Sequence, residues 1–307
     1  MTTRATGIAI AFVTAVVSGI SVYVNSKGVS HFDDATVYTT AKNAVAGLLL
    51  VALALPVLMT RAATGTQRRV RPGTRREWLG LVALACIGGS VPFVLFFEGL
   101  SRATATQAAF IHKTLVVWVA ILAVALLKER IGPLHIAAIA LVVAGQAWLL
   151  TGGVGTVAFG EGEAMILAAT VLWAVEVILA KVLLRSLDTR TLAAARMGLG
   201  TVVLVGWLAV SGRLGDLLGL GSDQWVWAIA TGLLLTAYVA TWYAALARAQ
   251  AVDVTAALVF GAVVTAVIAR VADGAALDPV GITLVTGGVI LVAVAALRRY
   301  DDRLATT

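Results

Sequence analysis

The sequence predicts an all-α integral membrane protein with ten transmembrane helices arranged as two inverted five-helix repeats. Three observations carry this expectation. Of the 307 residues, 60% are apolar and 13% charged, and the mean hydropathy is +0.97. Charge at roughly half the usual share leaves too little polar surface to cover a soluble core. The apolar residues fall into ten long runs, each close to the ~20 residues that cross about 30 Å of hydrocarbon. The last five runs repeat landmarks of the first five at fixed offsets. This composition excludes a soluble enzyme, a nucleic-acid-binding domain and a disordered regulator.

The first run, 5–25, is too long for a signal-peptide core and leads directly into more membrane sequence, so it reads as a helix. The second, 36–59, holds Lys42. The third, 78–98, opens on Trp78, an interfacial anchor, and closes on Glu98. The fourth, 106–127, carries His112 and Lys113. The fifth, 132–151, begins around Pro133, where a missing N–H costs little, and ends before Gly152, Gly153 and Gly155. The sixth and seventh, 162–184 and 190–210, hold Glu176 and Arg196. The eighth, 225–246, opens on Trp225 and Trp227 as further anchors and holds Tyr238 and Trp242. The ninth is 253–271, and the tenth, 279–297, again begins on a proline, Pro279. The runs are continuously apolar rather than alternating, which argues against a closed membrane barrel. Gly88, Gly89, Gly287 and Gly288 predict close contact between helices.

The net charge is +7 and the pI near 10.0. The basic residues flank apolar runs instead of forming a binding face, so nucleic acid is not an expected partner. Six arginines lie between Arg61 and Arg76. With the N-terminus inside, sixteen lysines and arginines fall on inner segments, against four outside: Lys27, Arg102, Arg213 and Arg270. Lys42, Lys113 and Arg196 lie within runs. This bias predicts a multi-pass protein of the inner (cell) membrane with both termini cytoplasmic. Cys86 is the single cysteine, so no intrachain disulfide is possible.

An offset of 154 pairs Lys27 with Lys181, Ala41 with Ala195 and Lys42 with Arg196. An offset of 146 pairs Phe97 with Tyr243, Leu100 with Leu246, Arg102 with Arg248, Ala105 with Ala251 and Pro133 with Pro279. Five helices per repeat is an odd number, so the two halves, 1–155 and 156–307, enter the membrane in opposite senses. Inverted repeats of this kind mark secondary transporters, with a site near the midplane. The stretch FFEGLSRATATQAAFIHKTLVVWVAILAVALLKERIGP, from Phe96 to Pro133, resembles the EamA family of the drug/metabolite transporter superfamily. Its charged turn ends in Glu129 and Arg130, and the second half repeats the pattern more weakly as WYAALARAQAVDVTAALVFGAVVTAVIARVADGAALDP. The resemblance implies a transporter of small metabolites with a central cavity lined mainly by helices 1, 3, 4, 6, 8 and 9. Two features depart from the family pattern. His112, Lys113 and Thr114 replace a polar-proline step in the fourth helix, and the second charged turn is reduced to Asp273 and Gly274.

An ionisable side chain at membrane depth is costly unless paired or hydrated, so such residues are the leading site candidates. Glu176 lies at a depth matching that of Arg196, and an ion pair between them is geometrically reasonable. Trp173 lies one turn before Glu176 on the same face. Glu176 reads either as a proton-titrating carboxylate that also meets substrate or as a fixed partner of Arg196. As the one membrane carboxylate in the first helix of a repeat, it also resembles that of the small multidrug resistance proteins. Its first-half equivalent, however, is Val22. Near the outer side, Lys42, Lys113 and Glu98 form an expected cluster with one surplus positive charge, and His112 adds a group that titrates near neutrality. Lys42 and Arg196 also read as structural charge partners. Tyr238 and Trp242 share a helix face and, with Trp173 and Tyr23, are expected to wall an apolar or aromatic substrate.

No phosphate loop, zinc spacing or nucleophile motif occurs, so neither an enzyme nor a cofactor nor a metal is expected. The reading is a secondary transporter, an exporter of amino acids or related carboxylates, working by alternating access within the lipid bilayer. The alternative is proton-coupled efflux of lipophilic cations through Glu176. Protons are the candidate coupling ion, and monomer and homodimer both stay open.

Overall fold

The computed structural model describes residues 3–60, 71–100, 102–103, 111–151, 159–274 and 279–304. The loop arginines Arg61, Arg68 and Arg69, the landmark Ala105, and Gly152, Gly153 and Gly155 lie outside these residues, as do the side chains of Arg298, Arg299 and Arg303.

Among the described residues the fold is all-helical. The helices are α1 (Thr3–Gly28), α2 (Ala35–Thr60), α3 (Arg75–Leu100), α4 (Ile111–Leu127), α5 (Pro133–Thr151), α6 (Glu161–Leu183), α7 (Thr189–Val210), α8 (Ser222–Leu246), α9 (Ala251–Asp273) and α10 (Pro279–Leu304). A short helix, Leu214–Leu218, joins α7 to α8. Seven of the helices are long and apolar enough to cross a membrane; the apolar stretches of α4, α5 and α10 are shorter. Pro133 and Pro279 open α5 and α10, where their missing N–H groups cost little. Thr74 caps α3 by accepting from the Glu77 amide at 3.2 Å, while Glu77 accepts from the Gly73 amide and from the Ser186 hydroxyl. That last contact ties the start of α3 to the α6–α7 turn.

The packing follows a paired pattern. α1 packs on α8 and α9, as α6 packs on α3 and α4. α2 packs on α8, as α7 packs on α3, and the remaining main contacts join α2 to α7, α4 to α9 and α5 to α10. One apolar core draws on Ile8, Leu50, Leu84, Val119, Val177, Met197, Val239 and Val254, so it is shared by helices of both halves. Large apolar side chains such as Leu48, Val202, Val210 and Val271 point outward and exposed, as lipid contact demands.

Among the described residues, three helices contain a π-turn, at Ala85–Ser90 in α3, Ala123–Leu127 ending α4 and Ala195–Leu199 in α7. In α3 this turn holds Gly88 and Gly89 against α6 and α7. A Cβ on Gly89 would stand 2.0 Å from the Arg196 carbonyl oxygen, and one on Gly200 would stand 2.8 Å from the Gly89 backbone. Those atoms are backbone and cannot turn aside. Gly89→Ala should therefore cost about 1–3 kcal/mol by overpacking, read as a lower melting temperature in detergent. Gly287→Ala is the control, because nothing lies within 4 Å of that site. Equal melting temperatures for the two variants would show that α3 and α7 do not need their close approach.

Candidate functional site

The central polar group is built from three consecutive helices. Glu176 on α6 is 1% exposed and accepts a hydrogen bond from the Tyr243 hydroxyl of α8 at 2.6 Å. Arg196, on the π-turn of α7, sets its Nε 3.8 Å from the Glu176 carboxylate, so the expected pair forms as an ion pair longer than a hydrogen bond. The Nε and Nη1 atoms of Arg196 are buried and have no hydrogen-bond partner. Tyr243 also places its ring 6.0 Å from the guanidinium carbon. Gly88 of α3 closes the group, since a Cβ there would stand 2.4 Å from Glu176 Cγ. The site thus holds one carboxylate, one guanidinium with N–H groups to give, and a phenol.

Aromatic rings flank this group. Trp173, one turn before Glu176, donates its indole N–H to the Gly88 carbonyl at 3.2 Å. Its ring packs against His112 at 5.0 Å, Phe93 at 5.4 Å and Phe96 at 5.7 Å. His112 therefore lies inside an aromatic cluster, with Nδ1 buried and unpartnered. Lys113, its neighbour, lines a small cavity between α4 and α9 with Val116, Thr255, Leu258 and Val259. Its volume of about 20 Å³ holds a water, not a metabolite. On α8, Tyr238 and Trp242 stack with ring centroids 6.0 Å apart, as their spacing predicts.

The expected outer cluster does not assemble. Glu98 turns to Arg102 at 3.2 Å and to Arg213 at 3.7 Å. Lys42 instead donates to Asn25 Oδ1 at 2.7 Å, with the Tyr38 and Phe97 rings at 4.9 and 5.2 Å. Lys113 faces α9. Tyr23 likewise does not join Trp173, Tyr238 and Trp242. It donates to Asp273 at the far end of α1, beside the Lys27–Asp273 bridge of 2.9 Å. These departures share one cause: residues of similar depth on different helices point in directions that depth alone does not set. Nearby, Asp34 caps α2 and holds Arg213 at 2.5 Å. Burial there opposes ionisation, but the Val37 and Thr36 amides and Arg213 outweigh it and keep the carboxyl below its usual range.

A second polar network, not anticipated from the sequence, closes the end where α1 begins. Asp253, fully buried in the first turn of α9, pairs with Arg4 of α1 at 2.7 Å and with His135 of α5 at 3.2 Å. Glu129 accepts from the Ala251 and Val252 amides at 2.8 and 3.3 Å, capping α9 from the α4–α5 turn. Lys128, at φ 57°, is the left-handed residue that aims Glu129 there, and Gly274, 146 residues on, ends α9 in the same way at φ 69°. Burial pushes the Glu129 carboxyl up, and the two amides hold it partly back. Lys181 donates to the Leu246 carbonyl at 2.5 Å and to that of Ala249, gripping the end of α8. Glu129 belongs to the charged turn already noted, but Asp253 carried no signal beyond that of an ordinary acid at a helix start. Tyr243 was visible as the repeat mate of Phe97, differing by the hydroxyl that reaches Glu176.

The comparisons with known proteins agree with this architecture. A protein from Archaeoglobus fulgidus described as an uncharacterized transporter is 31% identical over 165 residues, covering 52% of this chain and 55% of its own. The matched region is thus only about half the length of that relative. A crystal structure of a protein matches over 96% of this chain and 99% of its own, with a TM-score of 0.75 and 17% identity. At that identity the likeness concerns the fold. The sequence profile of the EamA-like transporter family matches twice, over residues 5–151 and 160–297. Together these matches span nearly the whole chain, which is a multi-pass membrane protein and belongs to the EamA-like transporter family.

Proposed function

We propose that this chain is a secondary transporter that exports amino acids or related carboxylates across the inner membrane by alternating access. The observation that carries the reading is the Glu176–Arg196–Tyr243 group, with two buried guanidinium nitrogens lacking hydrogen-bond partners. A guanidinium fork suits a substrate carboxylate, and the adjacent Glu176 suits an ammonium. Trp173, Tyr238 and Trp242 supply apolar walls nearby. The anion-holding role therefore falls to Arg196 rather than to Lys113.

The helix pairing supports two inverted five-helix units, 1–155 and 156–307, because the main contacts made by α1 and α2 have their counterparts from α6 and α7. The sixteen-to-four partition of basic residues supports ten crossings with both termini cytoplasmic. On that reading the Arg4–Asp253 network is the inner end.

Counterflow in proteoliposomes loaded with mixed amino acids tests the proposal. Arg196→Gln should cut exchange about tenfold to a hundredfold, the cost of one charged hydrogen-bonded contact. Lys113→Ala should leave exchange within about twofold. If only lipophilic cations exchange, and Glu176→Gln alone abolishes it, the carboxylate reading is wrong and proton-coupled efflux replaces it.

A further inference from the structure

The two repeat-related cations, Lys42 and Arg196, sit in related surroundings that differ in one group. Each lies against an aromatic ring from repeat-related positions, Phe97 for Lys42 and Tyr243 for Arg196. Arg196 has Glu176 beside it. The position equivalent to Glu176 in the first half is Val22, so Lys42 has no such carboxylate. Its amine is bound instead by the Asn25 amide oxygen, which also accepts from the Tyr38 hydroxyl at 2.7 Å. Lys42 is 6% exposed. On the helices around α2, the charged or titratable groups are Arg4, Tyr23 and Lys27 on α1, Arg75, Arg76, Glu77, Cys86 and Glu98 on α3, Arg190 and Arg196 on α7, Asp216 on the short helix after it, and Asp223, Tyr238 and Tyr243 on α8. Among the described residues none of them forms an ion pair or hydrogen bond with the Lys42 amine.

A membrane-buried cation without a counter-ion is expensive, and an amine can escape that cost by losing a proton, whereas a guanidinium cannot. The surroundings tolerate both forms. An ammonium uses the two ring faces and the Asn25 oxygen, and a neutral amine still donates to that oxygen. We infer that Lys42 is the proton-exchanging site of the transporter, taking a proton from water on one side and releasing it to water on the other as the two halves rock. This inference rests on the transport reading above and adds the coupling ion to it.

The test has a substrate-free arm and a transport arm. Protein labelled with [13C]lysine in nanodiscs is followed at lysine Cε between about pH 5 and pH 9. The Lys42 resonance is the one lost in Lys42→Arg, or in Lys42→Gln if the arginine variant does not fold. It should titrate within that range. A Lys42 that keeps one protonation state throughout overturns the inference, whatever the protein transports. In the transport arm, proteoliposomes receive mixed [14C]amino acids under a gradient of about one pH unit, which sustains about tenfold accumulation per coupled proton. Lys42→Arg and Lys42→Gln should keep counterflow within about twofold yet lose that accumulation. Accumulation retained in either variant overturns the inference. Failure of wild-type counterflow strikes the transport reading instead, and the lysine titration then decides this one alone.

Discussion

Glu176→Ala is expected to destabilise the folded protein by about 3–5 kcal/mol, the usual cost of removing one partner of a buried ion pair, and to abolish exchange. Two terms combine. Arg196 is 6% exposed, and its Nε and Nη1 already lack hydrogen bonds, so the carboxylate 3.8 Å away is its charge partner among the described residues. Tyr243 is buried too and would lose the acceptor that its hydroxyl reaches at 2.6 Å. Glu176→Gln should cost less, because a neutral amide keeps the acceptor for Tyr243 but leaves the guanidinium uncompensated. The double variant Glu176→Ala with Arg196→Met should recover most of the stability, since both charges are then gone, and none of the transport. Reversible unfolding in mixed micelles gives the stabilities, and counterflow gives the activity. Equal stability of wild type and Glu176→Ala would mean that water or lipid, not Glu176, compensates Arg196.

The parts of the site legible in the residues alone are those set by depth along a helix. Apolar runs place the helices, because a span must be apolar over about 20 residues whatever it packs against. Depth along a run places Glu176 level with Arg196, and the structure pairs them. What a run cannot supply is direction around the helix axis. A segment apolar on every face has no stripe to mark the side that meets a partner. Hence Lys42, Lys113 and Glu98 share a depth yet face Asn25, α9 and Arg213 respectively. The π-turns that carry Gly88 and Arg196 shift direction again, and no run of residues announces them. The repeat offered the remedy in two places. It paired Phe97 with Tyr243 and Val22 with Glu176, which identifies both the hydroxyl and the carboxylate that the first half lacks.

Asp253→Ala should be the most disruptive change away from the central group. Asp253 is 0% exposed and holds Arg4 and His135, so its loss takes the carboxylate from a guanidinium and an imidazole at once. The expected cost reaches at most about 3–5 kcal/mol, the value for a buried pair, because Asp253 is fully buried while the Arg4 side chain keeps 22% of its surface exposed. The effect should also be directional. Arg4, His135 and Glu129 come from the first half and meet Asp253 and the α9 amides of the second half, so this network joins the halves at one end. At the other end the Lys27–Asp273 bridge has side chains 47% and 40% exposed, and exposed pairs contribute only about 0–1 kcal/mol. Removing Asp253 should loosen the Arg4 end, while the other end keeps the Lys27–Asp273 bridge and the partly buried Asp34–Arg213 pair across the halves. Hydrogen exchange at the Ala251–Thr255 amides should accelerate well beyond that at Lys27 and Asp273. Asp253→Asn, which keeps an acceptor for Arg4 and His135 but no charge, should fall between wild type and Asp253→Ala. Uniform acceleration at both ends would identify Asp253 as a general stabiliser of the bundle. Acceleration confined to the start of α9, in protein that still folds, would make it the latch that an alternating-access cycle has to open.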